Sequence, residues 1–363
     1  MLHKVDKYIL ISAVFLLLAG AIMVLSTAPV AGVKDVNDGF YYVIRHFIHM
    51  VMGIVICWLM TQVDYHHLRK FAGPGLIISA LLLMLTYFPW FGIRSGGAAR
   101  WLNLGLFSFQ PAEVAKVFIV LYVANALANK KEIVRDFWHG VLPILAVSGG
   151  LVLAILKQPD LGTSLVIIST VFVMLIIAGS NFTDLLLLGL LGFRALSFWI
   201  MHTPYQLKRW TTFLNPELDP QDAGYNILQS LLAVGSGGLF GLGIGHSRQK
   251  FGWLPENHTD FIFAVICEEG GFILASLVVA AFAVLLIRGL RLAIKAPDVF
   301  GSFLVLGYTI CLGVQAMVHI MVVMAWAPTK GITLPFVSYG GTSLIISLFM
   351  LGVILRISRE ARV

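Results

Sequence analysis

The sequence predicts an all-α polytopic membrane protein of about ten transmembrane helices, with both termini cytoplasmic and one long extracytoplasmic loop between helices seven and eight. Three observations carry that prediction. Of 363 residues, 59% are hydrophobic and only 12% charged, where an average soluble chain carries roughly 25% charged residues. The mean hydropathy is +0.90. Apolar runs recur along the whole length, each close to the ~20 residues a helix needs to cross a ~30 Å hydrocarbon core. The composition excludes an intrinsically disordered chain, which is polar and charge-rich. It also excludes a soluble enzyme behind a cleavable leader, because the apolar runs are not confined to one end.

Ten spans follow in order. The first three are residues 8–27, 46–62 and 73–90, and the second carries His46 and His49 three apart on one face. The fourth, 112–128, holds Glu113 and Lys116 in its first turns. The fifth and sixth, 140–156 and 162–179, meet at the sequence KQPDLGTS; the seventh, 184–202, holds Arg194 at mid-span. The eighth, 261–287, carries Glu268 and Glu269 two turns in, and the ninth and tenth are 299–324 and 342–355. Gly and Pro inside several of these runs are tolerated in transmembrane helices. No tandem repeat or low-complexity segment interrupts them, so residues 1–363 read as a single membrane domain.

Orientation follows from Lys and Arg. With the N-terminus cytoplasmic, the inside segments hold 13 of them (Lys4, Lys7, Arg69, Lys70, Lys130, Lys131, Arg135, Arg288, Arg291, Lys295, Arg356, Arg359 and Arg362). The short outside loops hold six: Lys34, Arg45, Arg94, Arg100, Lys157 and Lys330. That asymmetry obeys the positive-inside rule. The net charge of +7 therefore reflects membrane topology and anionic headgroups rather than nucleic acid. Cys57, Cys267 and Cys311 all lie in apolar runs and read as small buried hydrophobes.

Residues 203–260 form the long external loop, with Pro204, Pro216, Pro220 and Pro255. Within it, 227–245 is apolar and Gly-rich and reads as a segment that dips to the membrane or re-enters it. Gly237, Gly241 and Gly245 have the small-xxx-small spacing that permits close backbone packing. The stretch fits no dinucleotide-binding fingerprint.

Charges at membrane depth need a partner or a purpose. Glu113 and Lys116 share a helix face and read either as an ion pair fixing span four or as part of a polar cavity. Asp160 reads as a cap for span six, as a functional carboxylate, or as both. One of Glu268 and Glu269 is expected to hydrogen-bond across helices, and Arg194 to pair with an acid on a neighbouring helix. His46 and His49 have a spacing a metal could use, but no H-E-x-x-H motif supports a site. The densest polar constellation is WLPENHTDFIF at 253–263, where Glu256, His258 and Asp260 alternate at the mouth of span eight. A carboxylate at such an aqueous-to-apolar boundary can cap the helix, or carry a raised pKa and act as a general base. Lys330 is the only charge in the loop APTKGITLPFVSYGGTS, and a cation there suits an anionic group.

At these residues the chain resembles the SEDS family (shape, elongation, division, sporulation). The resemblance is carried by AARWLNLGLFSFQPAEVAKV (98–117), QPDLGTSLV (158–166), KRWTTFLNP (208–216), GYNILQSLLAVGSGGLFGLGIGHSRQKFGWLPENHTDFIFAVICEEGGF (224–272) and PTKGITLPFVSYGGTSL (328–344). The last, with Thr329 and Lys330, is more similar to the division branch than to the elongation branch. Asn257 departs from the small residue usual before HTDF.

The resemblance implies a ten-helix fold and peptidoglycan glycosyltransferase activity, polymerising lipid II into glycan strands beside a class B penicillin-binding protein and other divisome proteins. It implies a multi-pass plasma-membrane protein at the division septum. Asp260 falls on the position family members rely on most, and Arg100, Glu113, Lys116 and Asp160 fall on other functional motif positions. Inverting transfer from an α-linked sugar pyrophosphate to a β-1,4 linkage needs a base, assigned to Asp260. It also needs cations at the leaving group, for which Arg100, Lys116, Lys330, Arg209 and Lys250 are the candidates. No tightly bound cofactor is expected, although a loosely held Mg²⁺ or Mn²⁺ on the phosphates suits the chemistry. A lipid II flippase and a non-catalytic division scaffold are the competing readings.

Overall fold

The apolar runs become helices in a computed structural model, which describes residues 5–88, 90–95, 98–103, 108–129, 133–218 and 223–361. Lys4, Lys130, Lys131, Pro220 and Arg362 lie outside the described residues. In chain order the elements are α1 (Lys7–Val36), α2 (Tyr41–Gln62), α3 (Ala72–Leu85), β1 (Gly92–Ser95), β2 (Ala98–Asn103), β3 (Ser108–Phe109), α4 (Pro111–Asn129), α5 (Leu142–Lys157), α6 (Leu161–Ile177), α7 (Phe182–His202), α8 (Pro204–Leu214), α9 (Ala223–Ser236), α10 (Ile262–Lys295), α11 (Val299–Val323) and α12 (Gly341–Ser358). Among the described residues nine helices are long and apolar enough to cross a membrane, and α6, at 17 residues one shorter than the shortest of these, is a tenth apolar helix.

The most buried helices are α11, α12 and α4, which form the centre of the bundle. Their neighbours pack on them through small residues, as the absence of a hydrophobic drive between helices in lipid requires. At Gly352 of α12 an added Cβ would lie 2.6 Å from the Cys57 carbonyl of α2, so only glycine allows the two backbones to meet. Helix α1 is locked to α10 at the end opposite the long loop, where buried Asp6 caps α1 through the Tyr8 and Ile9 amides and pairs with Arg288. Helix α7 is the outlier, with Leu185 its sole buried residue. Arg194 sits exposed on it without an acid partner among the described residues. The expected cross-helix pair is therefore corrected: α7 stands too far from the bundle to supply one.

Two features of the loop end differ from a simple hydropathy reading. The segment before α4 holds a three-stranded antiparallel sheet in the order β1-β2-β3, with Ile93 opposite Trp101 and Leu102 opposite Phe109. The long loop is ordered into α8, α9 and a glycine-rich turn that splices into α10. Helix α10 breaks at Gly271, whose φ of 65° and ψ of −169° suit glycine alone. The break frees the carbonyls of Glu268 and Glu269, which accept from the Leu242 and Gly243 amides at 2.9 and 3.0 Å. The freed Phe272 and Ile273 amides donate in turn to the Gly238 and Leu239 carbonyls. Backbone polar groups at a break inside lipid must be re-satisfied this way. The Gly-rich stretch read as a dipping segment thus packs into the helix it precedes.

Candidate active site

At the loop end, the segments around 256–260 and 331–341 and strand β2 close over α2, α4, α6 and α11, enclosing a cavity of about 640 Å³. Arg100, Glu113, Lys116 and Asp260 all line it. Four residues separated by up to 160 positions in sequence therefore share one space.

Asp260 is held by its loop rather than by the helix that follows. Its amide donates to the Glu256 carbonyl at 3.0 Å. Helix α10 starts after Phe261 with no side-chain cap, so the carboxylate is not spent on helix capping. The loop is stitched to the 331–340 segment by the Ser338 hydroxyl, donating to the Thr259 carbonyl at 2.7 Å, and by the Tyr339 amide, donating to the His258 carbonyl at 2.9 Å. Carboxylate and guanidinium both lie beside Gly331. A Cβ built there would be 3.1 Å from Asp260 Oδ2 and 3.9 Å from Arg100 Nη1. Asp260 and Arg100 thus approach the same point. Burial, with the Glu256 charge added, pushes the Asp260 carboxyl up to about 7, against the opposing pull of Arg100 and Arg209. A base poised near neutrality is matched to proton transfer at physiological pH.

Arg100 is fixed in turn by the turn before α6. Its Nε donates to the Gln158 carbonyl at 3.0 Å and its Nη2 to the Pro159 carbonyl at 2.7 Å. Asp160, the next residue, is buried and caps α6: it accepts from the Thr163 amide at 3.0 Å, the Thr163 hydroxyl at 2.8 Å and the Gln110 side chain at 3.2 Å. Of the two roles read from sequence, the cap is the one its contacts fill, and the described cavity lining does not include it. At the floor, Lys116 pairs with Glu113 at 2.9 Å and donates to Gln315 Oε1 at 2.5 Å. Gln315 then donates to the Thr333 carbonyl at 2.9 Å, tying the floor to the same segment that carries Gly331.

Arg209 and Lys330 flank this segment. Arg209 on α8 donates to the Thr329 carbonyl at 3.1 Å. Burial, and the like charge of Arg209, bring Lys330 down to about 8. Lys250 is a correction. It is 3% exposed and pairs with Glu269 at 2.8 Å, away from the described lining of the cavity. Lys116 is ion-paired too but lines the cavity; Lys250 is absent from the described lining, so its charge is spent on Glu269 rather than on a substrate anion. Glu268 meanwhile accepts from the Ser247 hydroxyl and the Arg248 amide, so both acids of the pair bond to other segments rather than facing lipid.

Sequence reasoning passed over Gln315, Thr333, Tyr42 and Tyr339, all of which line the cavity. Gln315 had a usable signal, a lone amide inside the apolar ninth span. His46 and His49 are buried, and among the described residues no group of three or more His, Cys, Asp or Glu side chains gathers as a metal centre would.

The bundle and its end-opening polar cavity define a multi-pass membrane protein with a carboxylate and cations converging at one membrane face. The family model described as "Cell cycle protein", which joins FtsW, RodA and SpoVE, matches residues 7–363, and the chain belongs to that family. Stage V sporulation protein E of Bacillus subtilis is 40% identical over 357 residues, covering 98% of each chain. The probable peptidoglycan glycosyltransferase FtsW of a Geobacter species is likewise 40% identical over 357 residues, covering 98% of this chain and 97% of its own. Among solved structures, a chain from a peptidoglycan synthase complex superposes with a TM-score of 0.79 at 29% identity, covering 99% of this chain and 98% of its own. The rod shape determining protein RodA of Thermus thermophilus does so with a TM-score of 0.72 at 29% identity, with the same coverage.

Proposed function

We propose that this chain is a peptidoglycan glycosyltransferase that polymerises lipid II at the outer face of the plasma membrane during cell division. One observation carries the mechanism: Asp260 and Arg100 converge beside Gly331 in a cavity whose floor is Lys116. Asp260 takes the proton from the 4-hydroxyl of the acceptor sugar as its oxygen bonds to C1 of the donor. The C1–O bond to the pyrophosphate breaks, and the leaving group keeps the electron pair. Arg100 and Lys116 stabilise that developing charge as cations already in place in the folded site. One displacement inverts the α-linkage to β. Were a Mg²⁺ or Mn²⁺ carried in with the substrate's pyrophosphate, it would supply further charge neutralisation beside Arg100 and Lys116. A class B penicillin-binding protein crosslinks the strands, and the similarity to a chain of a peptidoglycan synthase complex supports such a partner.

The test is polymerisation of lipid II by the purified chain in liposomes, alone and with its transpeptidase. Because the Asp260 side chain caps no helix, Asp260→Asn is expected to insert and melt like the wild type. It is expected to lose polymerisation by at least ~10²-fold. Near-normal polymer from Asp260→Asn overturns the assignment of the base. Transbilayer movement of lipid II without polymer makes the chain a flippase, and neither activity makes it a scaffold. The division role has its own readout: depletion gives filaments, whereas rounded cells that still septate point to elongation.

A further inference from the structure

Besides its charged residues, the cavity is lined by a mutually packed aromatic trio, Tyr42 of α2, His258 and Tyr339, with Arg45 lining it nearby. The Tyr42 and His258 rings stack with centroids 5.3 Å apart; Tyr42 and Tyr339 meet edge to face at 5.2 Å, and His258 and Tyr339 lie 5.5 Å apart. All three line the cavity. Tyr42 and Tyr339 remain partly exposed, unlike the structural tyrosine Tyr308, which is wholly buried in the bundle.

His258 is the informative member. It is 8% exposed, yet its imidazole makes no hydrogen bond to a described residue, and its Nδ1 is a buried polar atom without a partner. Buried polar groups are nearly always paired, so such an atom calls for an explanation. Burial lowers the imidazole pKa below its ordinary value, leaving a neutral ring with one donor and one acceptor nitrogen.

We propose that Tyr42, His258 and Tyr339 form the subsite for the acceptor sugar ring, a reading that rests on the polymerase function above. A pyranose has apolar C–H faces and a hydroxyl rim, so its binding surface must offer aromatic area and a few placed polar atoms. The trio supplies both. Its position relative to the base is fixed, because His258 lies two residues before Asp260 and the Tyr339 amide is bonded to the His258 carbonyl at 2.9 Å. A sugar resting on this trio presents its hydroxyl toward Asp260, while Arg100 and Lys116 are left to the donor's pyrophosphate.

The experiment pairs kinetics with direct binding on the full chain. In liposomes, Tyr339→Leu and the double variant Tyr42→Leu/Tyr339→Leu are expected to raise the KM for lipid II by about tenfold or more, with kcat changed far less. Tyr339→Phe, which keeps the ring, is expected to restore most of the KM. Saturation-transfer NMR with a soluble β-1,4-linked N-acetylglucosamine disaccharide, which carries no phosphate, is expected to show contact to the ring C–H protons. That signal should vanish in the double leucine variant and persist in Asp260→Asn. An active wild type with unchanged KM in the leucine variants, or no disaccharide signal from the wild type, overturns the subsite. A wild type that makes no polymer but gives the leucine-sensitive signal overturns the function and leaves the saccharide subsite standing.

Discussion

Lys250 and Glu269 meet 2.8 Å apart with almost no exposure, and the Ser26 hydroxyl of α1 bonds to both. Three separate pieces of chain, the first helix, the long loop and the broken eighth span, are thereby joined at one buried ion pair. The Gly245 and Ser247 amides add two further bonds to the Glu269 carboxylate. The loop that ends in Asp260 is anchored at this point.

Removing one partner strands the other charge, which typically costs ~3–5 kcal/mol. Lys250→Met and Glu269→Gln are each expected to lower the melting temperature in detergent sharply. The double variant should lose clearly less than the two single losses added together. Additive losses in this double-mutant cycle would show that the pair contributes no coupling.

The elevated Asp260 carboxyl sets the pH dependence. A base must be deprotonated, so the polymerisation rate is expected to rise with pH through an inflection near 7, the folded-state value. Glu256→Gln removes a nearby negative charge that raises this value and should move the inflection to lower pH; Arg209→Gln should move it to higher pH. The sign for stability is the reverse of the usual carboxylate case. The charged form is disfavoured in the fold, so its cost is present above the folded value near 7 and fades as pH falls toward the ordinary 3.8. Initial rates across roughly pH 5.5–8.5 check the assignment, and an unshifted inflection in Glu256→Gln refutes it.

Glu113 and Lys116 are expected to behave as one unit with Gln315. Glu113→Gln leaves a buried ammonium without its counter-charge, bonded to neutral amide oxygens, and should cost both stability and activity. Glu113→Gln/Lys116→Met should recover much of the stability but not the activity, because the cation at the cavity floor is gone. Thermal melts and polymerisation on the same preparations separate the two effects. Recovery of activity in the double variant would remove Lys116 from the leaving-group role.

Topology gives the simplest check. The excess of Lys and Arg outside the long loop, 13 against six, with Lys208, Arg209, Arg248 and Lys250 in the long loop itself, predicts that the loop end faces outside. A cysteine replacing exposed Glu217 is expected to react with an impermeant maleimide on intact cells. One replacing exposed Lys70 should react only after permeabilisation. The opposite pattern inverts the protein and removes the cavity from the outer face.

Much of this fold is legible in hydropathy, and the exceptions have physical causes. The ninth span, read as 299–324, is α11 at Val299–Val323. Helices α1 and α10 run to Val36 and Lys295, well past the read ends at 27 and 287, because their last turns are more polar than the hydrocarbon-length window. The break at Gly271 left no trace, since glycines are common in membrane helices and only the partner loop reveals the kink. In the site, Asp260, Arg100, Glu113 and Lys116 were visible because charge beside lipid is costly. Lys250 was misplaced for the same reason: a sequence shows a charge but not the carboxylate 19 residues on that neutralises it. Tyr339 is neutral and stood in no such relief.

Helix α7, with one buried residue among 21, has few bundle contacts to hold its tilt. A helix so placed responds to mismatch between its apolar length and the local hydrocarbon thickness. At Thr203 it passes directly into α8, which carries Arg209 to the Thr329 carbonyl beside the cavity. The lipid around α7 is thus expected to bear on the site through the position of Arg209. Thickness-matched bilayers and short-chain detergents should accordingly give different reaction rates from an identical polypeptide.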